Sequence, residues 1–203
     1  IQNEGLGSFQ VGTTQVNQEG RCVFDAVTVS LSGEVMRNNL NVSISTPYAE
    51  AHLYGLSFLN GKDHVDNHTV VDHEVPNCES NELYKSILDD QATAVFNGKI
   101  FVRQDAQKTN AYQSSKNILL SNEANAFSKP QLEIWADDVK CSHGHATGQL
   151  DKEALFYLKA RGIGENTAKA MLAKAFADDI IGRIKIEPLK EYLSGLIEGR
   201  FHL

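Results

Sequence analysis

The stretch Cys22-Val23-Phe24-Asp25-Ala26-Val27-Thr28-Val29-Ser30-Leu31 sets the reading of the chain up to about residue 150. From Val27 onward apolar and polar residues alternate, which is the period of a strand with one face buried and one face wet. Leu40-Asn41-Val42-Ser43-Ile44 repeats the alternation, and Ala51-His52-Leu53-Tyr54-Gly55-Leu56-Ser57-Phe58-Leu59 adds a further short strand. Ser32-Gly33, Asn60-Gly61 and Asn97-Gly98 read as turns, each placing a glycine where positive φ is cheap. Glu79–Leu88 fits a helical turn or a strand equally well. Many short strands without intervening helices point to a sandwich, a barrel or a β-solenoid, and periodicity alone does not choose among them. No tidy repeat motif is visible.

From Asp151 the period becomes helical. Asp151 can cap a helix carrying Leu155, Phe156 and Leu158, which Gly162 would end in a left-handed conformation. Ala168, Met171, Leu172, Ala175 and Phe176 predict the buried face of a second helix. Pro188 opens a third, with Leu189, Tyr192, Leu193, Leu196 and Ile197 on the same pattern. Some fifty residues form a marginal core by themselves, so these helices are expected to pack on the β-rich body or on another protein. The expected organisation is a β body over residues 1–150 and a helical domain over 151–203.

The whole chain of 203 residues is 41% hydrophobic and 22% charged, a globular composition with room for a sizeable core. Nineteen Lys and Arg against 26 Asp and Glu give a net charge of −7, so no overall positive field gathers phosphate backbones or anionic lipid. The acidity is confined to residues 1–150, at −8, while 151–203 carry +1. No apolar run approaches the roughly 18–20 residues that span a bilayer, which predicts a soluble chain. Ile1-Gln2-Asn3-Glu4-Gly5-Leu6-Gly7 reads as an internal segment and suggests a piece of a longer protein. Cys22, Cys78 and Cys141 are odd in number and far apart, which disfavours a disulfide framework and a zinc finger and favours a reducing compartment.

Three constellations carry chemistry. In Asp63-His64-Val65-Asp66-Asn67-His68-Thr69-Val70-Val71-Asp72-His73, a strand would put His64, Asp66, His68 and Asp72 on one face, as ligands for a divalent metal or as a polar ladder. In Cys141-Ser142-His143-Gly144-His145, alternation puts Cys141, His143 and His145 on one side of an extended segment. Thiolate and imidazole suit iron, zinc or copper, although three ligands so close rarely chelate one ion alone. In the tail, Gly162-Ile163-Gly164 has the form of a helix-hairpin-helix element whose backbone N–H groups meet a phosphate, with Arg161, Lys169 and Lys174 adding charge. The net acidity opposes that reading. Neither a phosphate-binding glycine loop nor a Gly-x-Ser-x-Gly or His-Glu-x-x-His motif is present, so no nucleotide is expected to bind this chain.

Several segments, in order, are more specific. His64-Val65-Asp66-Asn67-His68-Thr69 through His73, Pro76, Cys78-Glu79-Ser80, Tyr84-Lys85-Ser86-Ile87-Leu88 and Val95-Phe96-Asn97-Gly98-Lys99-Ile100 come first. Ala106-Gln107-Lys108-Thr109-Asn110-Ala111, Asn117-Ile118-Leu119-Leu120-Ser121 and Pro130-Gln131-Leu132-Glu133-Ile134-Trp135-Ala136-Asp137-Asp138-Val139-Lys140-Cys141-Ser142-His143-Gly144 follow, and Leu155-Phe156-Tyr157-Leu158-Lys159-Ala160-Arg161-Gly162-Ile163 continues into the tail. Together they resemble the SufB/SufD family of iron–sulfur cluster assembly proteins, from about residue 50 to the end, and Val139–Gly144 resembles the SufD branch.

The resemblance implies a mainly β fold, a right-handed parallel β-helix followed by a small C-terminal helical domain. It also implies a scaffold without catalysis of its own. By that likeness the chain pairs with SufB through the β-helices and receives the SufC ATPase on its helical domain, 151–203. An iron–sulfur cluster, or iron, would be bound transiently at the SufB interface, with a homodimer as the alternative where SufB is absent. The implied location is the bacterial cytoplasm or a plastid stroma. His143 matches the histidine that the family places at the SufB interface, so it ranks first as a ligand, Cys141 second and His145 third. One departure stands out: the family commonly follows His-Gly with a small pair, whereas here His145 intervenes before Ala146-Thr147-Gly148. Two readings from other classes remain at this point, a DNA-binding module built on Gly162-Ile163-Gly164 and a metalloenzyme using His64, Asp66 and His68.

Overall fold

Alternation of inward and outward side chains builds the body strand by strand. The computed structural model describes residues 1–5 and 7–200. Its strands are β1 (Gln2–Asn3), β2 (Phe9–Gln18), β3 (Val23–Ser32), β4 (Val35–Ile44), β5 (Glu50–Leu59), β6 (His64–His73), β7 (Glu79–Leu88), β8 (Thr93–Val102), β9 (Asn110–Leu119), β10 (Asn125–Ile134) and β11 (Lys140–Gly148). Three helices follow, α1 (Lys152–Ala160), α2 (Glu165–Ile181) and α3 (Glu187–Arg200). The segment that sequence left between helix and strand is β7.

Odd-numbered strands stack in one sheet, β1-β3-β5-β7-β9-β11, and even-numbered strands in a second, β10-β8-β6-β4-β2. Every neighbouring pair is parallel. A chain that alternates between two parallel sheets is a β-solenoid, so of the three architectures compatible with the strand pattern the solenoid is the one formed. On β6 the side chains of Val65, Asn67, Thr69, Val71 and His73 are buried between the sheets, while His64, Asp66, His68, Val70 and Asp72 face outward. The interior is lined by Met36, Ile44, Leu53, Leu59, Val65, Val71, Leu88 and Ile100, none more than 1% exposed.

The repeat hidden in the sequence is a backbone repeat. Strands β3, β5, β7, β9 and β11 begin at 23, 50, 79, 110 and 140, so turns of the coil differ in length. Two residues before β5, β7 and β9 stand Tyr48, Asn77 and Lys108, all in the left-handed region at φ 65°, 62° and 58°. The Tyr48 N–H donates to the Asn77 carbonyl at 3.2 Å, and the Asn77 N–H to that of Gln107 at 2.9 Å. A tyrosine, an asparagine and a lysine thus make the same corner, because hydrogen bonds to the next turn hold a conformation that side chains disfavour.

The helices cover the outer face of the odd-strand sheet. There Val27, Val29 and Leu31 of β3, Tyr54, Leu56 and Phe58 of β5, and Leu83 and Ile87 of β7 meet Ala173, Ala177, Ile180 and Ile181 of α2 and Leu193 and Ile197 of α3. Leu31, Leu56, Ile87, Ile180, Leu193 and Ile197 are at most 1% exposed, each burial worth roughly 1.5–3 kcal/mol. The tail therefore packs on the β body, one of the two arrangements expected. Lys85, in register with Leu56 and 3% exposed, crosses the same seam. Its ammonium pairs with Asp179, donates to the Phe176 carbonyl at 2.9 Å and lies 4.2 Å from the centre of the Phe176 ring.

Local signals in the tail hold. Asp151 Oδ1 accepts from the N–H groups of Glu153 at 2.8 Å and Ala154 at 3.2 Å, and Gly162 follows α1 at φ +85°. The buried face of α2 differs from the expected one. Of the expected residues Ala168 is buried and Phe176 packs on the seam, but the face is mainly the alanine stripe Ala170, Ala173 and Ala177 running into Ile180 and Ile181, and Met171 is 44% exposed. Alanines let the helix axis approach the sheet closely, and their low hydropathy hides that face from a pattern search. Tyr192 of α3 is likewise outside the contact, at 53% exposed.

One expected turn is not a turn. Gly33 and Gly61 have φ of +151° and +61° between strands, but Gly98 lies inside β8. A Cβ there would stand 2.3 Å from Gln113 Nε2 and 2.6 Å from Phe96 Cζ, so the glycine is required by a close approach inside the coil.

Candidate functional site

β11 ends the odd-strand sheet, paired with β9 on one side only. Its register with β9 sets Cys141 beside Ala111, His143 beside Gln113, His145 beside Ser115 and Thr147 beside Asn117. Ala111, Gln113, Ser115 and Asn117 are all buried inside the solenoid. Cys141, His143, His145 and Thr147 therefore continue the inward-facing columns, on the last turn, with no further turn above them among the described residues. His143 and His145 are exposed and Cys141 is half-buried. The alternation expected from sequence is realised, and the three donors share one face.

They do not converge. Alternate residues of a strand are roughly 6.6 Å apart along the chain, and among the described residues no group of three or more His, Cys, Asp or Glu side chains is placed to hold a metal ion. Imidazole and thiol are suitable donors for iron, but the strand offers them singly along a line. Burial pushes the Cys141 thiol up, with the Ala111 backbone opposing it, so the sulfur is a weaker donor at neutral pH than its residue type suggests.

Directly beneath these residues the solenoid interior is polar. One turn below Gln113 lies Glu82, in register with it and completely buried. Gln113 Nε2 donates to Glu82 Oε1 at 3.0 Å, and Thr69 Oγ1, reaching across from the even-strand sheet, donates to Oε2 at 2.5 Å. Burial pushes the Glu82 carboxyl up to about 7, against the two hydrogen bonds, which favour the charged form. Gln113 Oε1 is buried without a hydrogen-bond partner among the described residues. Alongside, Ser115 Oγ is 2.9 Å from Ser128 Oγ, and Asn117 Nδ2 donates to Thr147 Oγ1 at 3.0 Å. Sequence reading missed Glu82 and Gln113; the usable signal was a glutamate in a strand whose neighbours Tyr84 and Leu88 face inward, which needs the strand assignment of Glu79–Leu88 first.

The other two constellations resolve differently. His64, Asp66, His68 and Asp72 do share the outer face of β6, where Asp66 accepts from Arg37 Nη1 at 2.8 Å and meets His68 Nε2 at 2.8 Å. Asp72 is held by Arg103 through Nε at 2.9 Å and Nη2 at 2.8 Å. This is the polar ladder, with its carboxylates already neutralised by arginine. At the Gly162-Ile163-Gly164 hairpin, Glu165 occupies the first turn of α2, where a phosphate would sit, and bonds Lys159 at 2.7 Å and Lys169 at 3.0 Å. Hydrogen bonds from those lysines hold its carboxyl down at about 2. Arg161 lies over Tyr157 and Lys174 pairs with Glu198, so the cations of the hairpin are engaged within the tail.

Comparison with known proteins accounts for this architecture. The family model described as "SUF system FeS cluster assembly, SufBD core domain" matches residues 1–176. An iron–sulfur cluster assembly SufBD family protein of Synechocystis is 35% identical over 199 residues, covering 98% of this chain and 44% of that protein. The iron–sulfur cluster assembly protein SufD of Escherichia coli is 37% identical over 170 residues, 84% of this chain and 40% of the relative. The chloroplastic protein ABCI7 of Arabidopsis thaliana is 32% identical over 200 residues, 98% of this chain and 42% of the relative. The chain thus spans less than half the length of these relatives. With the parallel solenoid, the order of the matched segments and SufD itself among the relatives, the chain belongs to the SufBD family of iron–sulfur cluster assembly proteins as a homologue of SufD.

Proposed function

We propose that this chain is a non-catalytic scaffold subunit that pairs with SufB and presents His143 to iron or to the nascent cluster. The observation that carries the reading is the placement of His143, with Cys141 and His145, on the inward-facing side of the uncovered last turn. A strand with one unpaired edge and exposed donors is incomplete alone. A second β-helix laid against that end supplies both the missing backbone partner and the missing ligands, which suits donors that cannot close on one ion. His143 is the first ligand, Cys141 the second and His145 an auxiliary one, and the cluster is cargo rather than a resident group. Where SufB is absent, a second copy of this chain is the alternative partner for the same edge.

The ATPase SufC docks on residues 151–203, taken as one helical domain on a β-helix core of 1–150, and supplies the nucleotide chemistry. Support comes from α1, which buries none of its own residues and leaves Phe156 73% and Tyr157 57% exposed. The assembly works in the cytoplasm of a bacterium or its plastid equivalent. Three free cysteines accord with a reducing compartment, and no helix among the described residues is long and apolar enough to cross a membrane.

The test is anaerobic co-purification of the chain with its cognate SufB and SufC, comparing wild type with His143→Ala. The expected result is an intact complex in both, with iron and sulfide lost from the variant. The exposed His143 makes a stability change of no more than about 0.5 kcal/mol the expectation for the variant. A complex that keeps its iron and sulfide without His143 refutes the ligand assignment, and failure of the wild type to form a complex refutes the scaffold assignment.

A further inference from the structure

Glu82 and Gln113 have no evident structural purpose as a pair. A fully buried carboxylate is costly unless paired, and an apolar pair of the same size would fill the coil at lower cost. Yet several features converge to hold the two in place. Thr69 and Gln113 both donate to Glu82. Gly98 in β8 leaves the room that the Gln113 carboxamide occupies, since a Cβ there would fall 2.3 Å from its nitrogen. With Nε2 committed to the carboxylate, the orientation of the amide is fixed and Oε1 is left as a buried acceptor without a donor among the described residues. Residues in register on adjacent parallel strands stand about 4.8 Å apart, and the residue in register with Gln113 on the open side is His143.

We propose that Gln113, locked by Glu82 in the space left by Gly98, is a positioning residue whose Oε1, unpaired among the described residues of this structure, accepts the imidazole N–H of His143 when that ring turns onto it, and so presents the other ring nitrogen away from the coil. The proposal rests on the reading of His143 as the ligand at the open end. An imidazole has two nitrogens, and the partner of one determines which tautomer faces a metal, as in ligand histidines oriented by carboxylates or carbonyls. A carboxamide can play that part only if its own orientation is fixed, because a free amide flips and offers N–H as readily as oxygen. Glu82 supplies the fixation: it can only accept from Gln113 when ionised, and that leaves the oxygen for the histidine. The energetic cost of burying Glu82 then has a purpose at the site rather than in the core.

The experiment reads the tautomer of His143 directly, at pH 8 where the Glu82 carboxyl is ionised, by long-range 15N–1H correlation on the full chain labelled at histidine, with the His143 signals assigned by their loss in His143→Gln. Wild type is expected to show one tautomer for His143. Gln113→Met, of similar length and without an acceptor, is expected to return His143 to a mixture of tautomers while the other histidines keep their signals. An equilibrating mixture for His143 in the wild type overturns the proposal without any variant, so poor folding of Gln113→Met does not shelter it. A single tautomer that persists in a folded Gln113→Met overturns it as well. Neither result depends on cluster content. A fixed tautomer together with iron retained in His143→Ala would leave the positioning intact and refute the ligand reading alone.

Discussion

Replacing Glu82 by glutamine should alter the pH dependence of stability in a calculable way. Burial raises this carboxyl from 4.5 to about 7. Between those values the folded protein holds a proton that the unfolded chain has released, so stability is highest below pH 4.5, falls as pH rises towards 7 and is level above. At about 1.4 kcal/mol per pH unit the loss is about 3 kcal/mol. His73 acts in the opposite sense. Burial brings its imidazole down from 6.5 to about 4, so its contribution is present above pH 6.5 and disappears as pH falls towards 4, with a similar magnitude. The two slopes overlap and partly cancel, so a wild-type profile alone is uninformative. The difference between Glu82→Gln and wild type removes His73, which is common to both. Glutamine keeps an oxygen for Gln113, and the Thr69 hydroxyl can accept as well as donate, so the network can be satisfied again. Urea denaturation at pH 4.5 and pH 8 should therefore show the variant gaining about 3 kcal/mol relative to wild type between the two conditions. A difference between variant and wild type that is the same at both pH values would falsify the reasoning.

The remaining expectations concern packing. Gly98→Ala forces Gln113 and Phe96 to shift and should cost about 1–3 kcal/mol in urea denaturation; a cost under about 0.5 kcal/mol would show that the interior is not close-packed at that point. Asp179→Ala leaves the Lys85 ammonium under the helices with only the Phe176 carbonyl and ring, and should cost about 3 kcal/mol, the low end of the range for breaking a buried pair. Lys85→Met removes the charge as well and leaves Asp179, 62% exposed, to solvent. It should be the milder change, and the opposite ranking of the two variants in chemical denaturation would remove Lys85–Asp179 from the forces holding α2 to the sheet.

Local chemistry made much of this protein legible. Alternation in Val27–Leu31 and Leu40–Ile44 was enough for strands, the side chain of Asp151 and the freedom of Gly162 for the ends of α1, and the order of the matched segments for the family. The shared face of Cys141, His143 and His145 followed from period two alone, as did that of His64, Asp66, His68 and Asp72. What alternation leaves open is which strand lies beside which, because a two-residue period carries no information about neighbours. Only the stacking of the two parallel sheets placed His143 over Gln113 and Gln113 over Glu82, residues some thirty positions apart whose side chains meet because each turn of the coil returns the backbone to the same register. The same stacking turned Gly98 from an apparent turn residue into the gap that accommodates an amide, and exposed Met171 while burying Ala173 and Ala177. Propensity and pattern act within a few residues, whereas burial, and with it the raised pKa of Glu82 and the lone acceptor of Gln113, belongs to the coil as a whole.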